Sequence, residues 1–309
     1  MKRYVISRVG QAIFTVWAIT AILFFLTRLV GDPVSLMLPQ EATEEDRQML
    51  TRQLGLDKPI YMQYINYIRD AAQGDFGQSF VWKAPAAPLI IERIPATIEL
   101  AFGALVFAVL IGIAAGIISS LRPGSWIDRT TMGVALFGQA APFFWVGLML
   151  ILLFSVKLRL LPTSGRGGLT SLILPSITLG MWSTAALARL TRSRMREVLS
   201  KEYIKLARLK GLKETSVVLK HALRNAGVPI ITLIGLELGS MLGGAVVTET
   251  VFAWPGIGRM VVESVLMRDY AVVSGITLFI SLTFVGLNLI IDLTYGIIDP
   301  RVKLSKRSI

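Results

Sequence analysis

Six apolar runs long enough to cross a lipid bilayer recur along the chain, at about 9–30, 98–120, 131–156, 169–190, 227–249 and 271–297. As helix, ~20 residues span a hydrocarbon core about 30 Å thick. Backbone in lipid must satisfy its own hydrogen bonds, which leaves helices or a closed barrel. Runs this long and this continuously apolar are helical. A 309-residue chain that is 53% hydrophobic has more apolar surface than a soluble core of that size needs. The expected fold is an all-α polytopic membrane protein with six transmembrane helices. The first run follows Lys2, Arg3 and Arg8 but is too long for a signal-peptide core. No small-x-small site precedes Gly31-Asp32-Pro33, so it reads as an uncleaved first span.

Charge orients the spans. With both termini cytoplasmic, the inner segments hold 20 basic and 5 acidic residues, and the outer segments 12 of each. Glu99, Glu237 and Asp292 fall inside spans. The whole positive excess is then on one side, as the positive-inside rule requires. One outer loop dissents, because Lys157, Arg159 and Arg166 have no acid beside them. The net charge of +12 is therefore a topology signal with some attraction to anionic lipid, not a nucleic-acid footprint.

The expected division is an N-terminal tail and first helix at 1–30, and a small helical extracytoplasmic insertion at 31–97. A five-helix transmembrane core follows at 98–299 with a cytoplasmic loop at 195–229, and then a tail at 300–309. Within the insertion, Thr43 is placed to cap a helix ending near Gly55, with Asp46 three residues on, close to a capping box. Asp57 and Pro59 suggest the cap and first turn of a second helix ending near Gly74. Tyr61, Tyr64, Ile65 and Ile68 fall on one face of it, packed on the membrane domain.

Nucleotide and catalytic motifs are missing. No phosphate-binding loop occurs, so this chain is not expected to hydrolyse ATP. There is no cysteine, and the single histidine, His221, cannot build a metal site alone. The charged stretch Ser200–Pro229 is more informative. Ser200 is positioned to cap a helix whose first turn holds Glu202. Tyr203, Leu206, Ala207 and Lys210 share a face, and Gly211 can end the helix in a left-handed conformation. A second short helix fits from about Thr215 to Asn225. Such a helix–glycine–helix unit suits docking on a soluble partner; the simpler alternative is a basic segment on lipid headgroups.

In the fifth span, Gly235, Gly239 and Gly243 recur every four residues as a small face for helix packing. Glu237 lies roughly opposite. An acid at mid-membrane is expensive and marks a functional position by default. Two readings stand open: Glu237 faces the central pathway and meets the amine of a peptide, or it is held protonated or paired in an interface. Asp292 reads as a structural acid. Between the last two spans, Trp254, Pro255, Gly256 and Gly258 make a bent outer segment. It is either a turn with an interfacial tryptophan, or a re-entrant gate or docking surface.

The spacing Ala207-x-x-x-Gly211, with Leu223 further on, resembles the EAA loop of bacterial ABC import permeases. The whole run from Lys201 to Pro229 is similar to the version found in peptide and nickel importers. Lys205, Leu206, His221 and Arg224 depart from the general EAA pattern. Gly31-Asp32-Pro33, the runs Gly74–Ser79, Leu161–Gly165 and Val251–Arg259, and Asp299-Pro300-Arg301 match that branch in order and spacing. The combination resembles the first permease subunit of a dipeptide or oligopeptide ABC importer, with a type I importer fold. The resemblance implies a multi-pass protein of the bacterial inner membrane that carries peptide, glutathione or nickel. Its implied partners are a second, homologous permease, two ATPase subunits that use ATP and magnesium, and an extracytoplasmic binding protein. It also implies that Tyr203, Ala207, Lys210, Gly211 and Leu212 lie at the ATPase contact. An ion-coupled secondary carrier or a membrane scaffold is the rival of a different class.

Overall fold

The computed structural model describes residues 2–30, 34, 43–53 and 55–298, with side chains described at 5–27, 34, 43–52 and 55–290. Gly31-Asp32-Pro33, Asp299-Pro300-Arg301, the tail and the side chain of Asp292 lie outside these. The described residues are helical almost throughout, as expected. Two compact units emerge, one from residues up to Pro95 together with those from Met260 on, the other Ala96–Arg259.

In the first unit, α1 (Lys2–Val30) packs along α11 (Tyr270–Ile298). The insertion contributes α2 (Glu44–Gln53) and α3 (Ile60–Ala72). Thr43 and Asp46 form the expected reciprocal cap, with Thr43 N donating to Asp46 Oδ2 at 3.0 Å and Asp46 N to Thr43 Oγ1 at 3.2 Å. The second cap differs. Pro59 occupies the N-cap of α3, and Asp57 makes no capping bond to it. The expected packing face differs too. Tyr64 and Tyr67 lie against Phe24 of α1, whereas Tyr61, Ile65 and Ile68 are exposed. The Gly74–Ser79 run is a tight turn tied to the start of the last span. Ser79 donates its hydroxyl to the buried Asp269 carboxylate, Ala86 N donates to Gly77 O at 2.9 Å, and Phe76 lies where a side chain at Gly275 would be.

The long helix α4 (Ala86–Leu121) runs through Pro95 into the second unit. There α7 (Leu169–Leu199) is the centre: 61% of its apolar window is buried, against 28% for α4. Its buried positions include Ser176, Thr178, Gly180, Ser183, Ala185 and Ala188, small enough to let other helices approach. α4 comes closest at glycines. A Cβ at Gly112 would stand 2.9 Å from Leu187 Cβ, and one at Gly180 2.6 Å from Ala104 O.

The run expected as one span at 131–156 is two helices, α5 (Trp126–Ala140) and α6 (Phe143–Lys157), bent by 110°. The cause is Ala141-Pro142: proline removes a backbone donor and holds the residue before it extended, and Ala141 has ψ 134°. Among the described residues five helices are long and apolar enough to cross a membrane, or six spans with that pair counted as one. A short α8 (Glu202–Leu209) precedes α9 (Glu214–Val251), which has a π-helical turn at Val217–Ala222. The helix α10 (Ile257–Leu266) completes the order.

Candidate coupling surface and buried acids

The cytoplasmic loop folds differently from its expected form at two points. Ser200 does not cap α8; it closes α7, and its hydroxyl donates to Glu197 O at 2.8 Å. Lys201 takes the N-cap instead, without a side-chain bond. The second short helix is the beginning of α9, continuous with the span that follows. The glycine joint is as expected. Gly211 has φ +77°, and it ends α8 with paired bonds, Gly211 N to Arg208 O at 2.9 Å and Leu212 N to Ala207 O at 3.4 Å. Arg208 grips Glu214 across the joint through Nε at 3.1 Å and Nη2 at 2.7 Å.

This geometry sorts the loop residues into two sets. Ile204 is fully buried in the core of the unit, and Ala207 packs partly against it. Tyr203, Leu206, Leu209 and Leu212 are exposed, Leu209 at 83%. Lys205, Lys210 and Lys213 are exposed around them. The result is an apolar knob with a basic rim, fixed to the body by Ile204 and Ala207. Ala207 therefore acts mainly toward its own chain, where its small side chain lets α8 lie close.

The outer segment after α9 is a closed knot. Trp254 is fully buried and its indole N–H donates to Ala96 O at 2.7 Å. Thr97 Oγ1 donates to Glu249 at 2.7 Å and accepts from Ile257 N at 2.9 Å; Arg259 N also donates to Glu249, at 2.9 Å. A Cβ at Gly256 would overlap the Glu249 carboxylate, and one at Gly258 would come 2.6 Å from Val246 Cα. Glycine is required at both. Gly165 N donates to Phe252 O at 2.9 Å, tying the Leu161–Gly165 run to the same knot. Trp254, Gly256 and Gly258 are thus inside the fold and Pro255 half-buried, so they offer no open docking face.

Glu237 is buried between α7 and α9, where Ser183 donates its hydroxyl to the carboxylate. Ser240, one turn on, donates to Glu237 O at 2.9 Å. The glycine stripe does not act as one packing face within the chain. Gly239 is buried, Gly235 half-buried, and Gly243 is exposed with nothing near its Cβ position. Among the described residues, glycines of α4, α5, α7 and α11 also stand where a Cβ would crowd a neighbouring side chain or backbone. The loop knob, Glu237 and the outer knot are three separate places strung along α9, a helix of 38 residues or ~57 Å.

Two further acids carry structure that sequence reasoning passed over. Asp128 is buried at the start of α5. Arg192 donates to both its oxygens, from Nε at 2.6 Å and Nη2 at 2.7 Å. Ser119 of α4 donates to it as well, as does Gly124 N at 2.8 Å. This ties the inner ends of α4, α5 and α7. Glu99, counted inside a span, pairs with Arg166 of the outer loop, with Nη2 to Oε2 at 2.6 Å.

Comparisons with known proteins bear on the family and the fold. The family described as "Binding-protein-dependent transport system inner membrane component" matches residues 108–304. Its N-terminal companion, "Binding-prot-dependent transport system membrane comp, N-term", matches residues 1–101. The Glutathione transport system permease protein GsiC of Escherichia coli (strain K12) is 44% identical over 304 residues, 98% of this chain and 99% of that protein. The same protein of Shigella dysenteriae serotype 1 matches equally. Among solved structures, an amino acid ABC transporter crystallised with histidines matches 68% of this chain and 94% of its own, at TM-score 0.54 and 17% identity. An inward-facing MetNI methionine ABC transporter matches 66% and 94%, at TM-score 0.51 and 18% identity. At these identities the structures speak for the fold alone.

Proposed function

The chain belongs to the family of binding-protein-dependent transport system inner membrane components, and from that premise we propose that it forms one half of the pathway of an ATP-driven importer of short peptides. It is a permease of the ABC importer type and a protein of the bacterial inner membrane. The observation that carries the mechanism is the knob of Tyr203, Leu206, Leu209 and Leu212 on the loop between α7 and α9. An exposed apolar cluster with a basic rim on a cytoplasmic loop needs a protein partner to cover it. With no phosphate loop in the sequence, that partner supplies the ATP hydrolysis.

In this reading two ATPase subunits, a second permease and an extracytoplasmic binding protein complete the assembly. Tyr203, Lys210 and Leu212 meet the ATPase groove, Gly211 sets the joint, and Ala207 holds α8 against the body. The outer knot at Trp254, Pro255, Gly256 and Gly258 is a rigid support beneath the binding protein. Glutathione, itself a tripeptide, is the first cargo to test because the Escherichia coli relative, matched over nearly its whole length, is a glutathione permease. The test is uptake of labelled glutathione, dipeptides, longer peptides and nickel by cells that carry the assembly. ATP-dependent, saturable uptake of a peptide supports the reading; uptake of nickel alone overturns the cargo. Co-purification of the full chain without any ATPase overturns the coupling.

A further inference from the structure

The insertion helix α3 is apolar over half its circumference, and only part of that half is covered. Tyr64 and Tyr67 turn toward α1: Tyr64 Oη stands 3.1 Å from Thr20 Oγ1 and donates to Trp17 O at 3.4 Å, and both rings lie against the buried Phe24. Next to them on the helix, Tyr61, Ile65 and Ile68 form a stripe at the i, i+4, i+7 spacing and remain uncovered, Tyr61 at 63% and Ile65 at 59%. Asp70 lies on the opposite, polar side.

The depth of the contact is the second observation. The apolar span of α1 is Val5–Thr27, and charge puts its C-terminal end outside. Thr20 lies seven residues inside that end, roughly 10 Å along the axis at ~1.5 Å per residue. Trp17 lies near the middle of the span. A helix held against Phe24 and Thr20 is therefore held below the outer end of the hydrocarbon layer, not above it. On α1 itself, Ile13, Phe14, Ile22 and Phe25 are exposed within the same span.

We propose that α3 is an interfacial helix of the outer leaflet, with Tyr61, Ile65 and Ile68 inserted among lipid acyl chains and its Asp70 side toward water. This is the arrangement of an amphipathic helix lying in the membrane plane with its apolar face below the headgroups. The insertion then anchors the outer end of the first span laterally and is not a cap in the aqueous space.

Site-directed spin labelling tests it cleanly, because the chain has no cysteine. Nitroxides are placed one at a time at Tyr61→Cys, Ile65→Cys, Ile68→Cys and Asp70→Cys, with Phe14→Cys as the lipid reference. The full chain is reconstituted with cysteine-free versions of its partner subunits in phosphatidylethanolamine–phosphatidylglycerol vesicles. Collisions with oxygen and with a water-soluble nickel chelate are then compared. The expected result is oxygen-dominated relaxation at 61, 65 and 68, as at 14, with the order reversed at 70. Nickel-dominated relaxation at 61, 65 and 68 overturns the proposal in favour of a water-exposed stripe. Immobile labels that neither reagent reaches overturn it in favour of a protein partner on that face.

Discussion

Buried acids decide what single substitutions do to this protein. Asp128 accepts two bonds from Arg192 and others from Ser119 and Gly124 N, so it holds three helix ends at once. Removing one member of such a pair costs about 3–5 kcal/mol when both are fully desolvated, and less here because the Arg192 side chain is 28% exposed. Asp128→Ala is expected to lower the unfolding temperature in detergent sharply. Arg192→Leu added to it should cost less than the sum of the two single changes, since the stranded guanidinium is then gone. Glu237 calls for a different test. Glutamine can still accept from Ser183, so Glu237→Gln is expected to keep uptake near the parent level, whereas Glu237→Leu leaves Ser183 unpaired at a cost of about 1–3 kcal/mol. Loss of uptake in a stably inserted Glu237→Gln protein favours the reading in which Glu237 meets the cargo. Gly256→Ala drives a methyl into the Glu249 carboxylate and is expected to reduce folded protein recovered from membranes. The partners of these acids were not legible in the sequence for a physical reason. Asp128 and Arg192 lie 64 residues apart, and Thr97 and Glu249 lie 152 apart, so no local spacing joins them.

At the level of elements, the sequence is informative where local chemistry rules and silent where tertiary packing does. Gly211 announces a left-handed cap, and the structure has one at φ +77°. The capping box at Thr43 and Asp46 is equally local and forms as read. Hydropathy located each apolar run but did not reveal the 110° bend, because a window of apolar residues is the same whether straight or broken. Ala141-Pro142 was the available signal. Nor could periodicity separate the second loop helix from the span, since Glu214 to Val251 is one uninterrupted helical run. The loop makes a prediction at this scale. With φ +77° and open space around its Cβ position, Gly211 is required by conformation and not by crowding. Gly211→Val is expected to leave insertion intact and cut peptide uptake by more than about tenfold, a change of ~1.4 kcal/mol in coupling, while ATP hydrolysis by the assembly persists. Leu209→Asp, at the tip of the knob, is expected instead to release the ATPase subunits during purification. If both variants retain uptake and ATPase, the knob is not the coupling element.

The orientation of the molecule rests on charge, and the one loop that dissented now has a structural explanation. Lys157, Arg159 and Arg166 stand together without an acid in sequence. In the structure Arg166 holds Glu99, with Nε donating at 2.7 Å, so an acid assigned to the span interior serves the outer loop. The loop's unpaired positive charge falls by one, while the inner segments keep 20 basic residues against 5 acids. Orientation is set by lysines and arginines in short loops and only weakly by acids. Glu99→Gln is therefore expected to leave the topology unchanged even though it strands Arg166. The absence of cysteine gives a direct measurement. A membrane-impermeant maleimide applied to intact spheroplasts should label Arg159→Cys and Lys58→Cys, and should label Lys205→Cys only after the membrane is opened. The same pattern should hold in the Glu99→Gln background. Labelling of Lys205→Cys from outside would reverse every assignment of side made above, the coupling knob and the interfacial helix included.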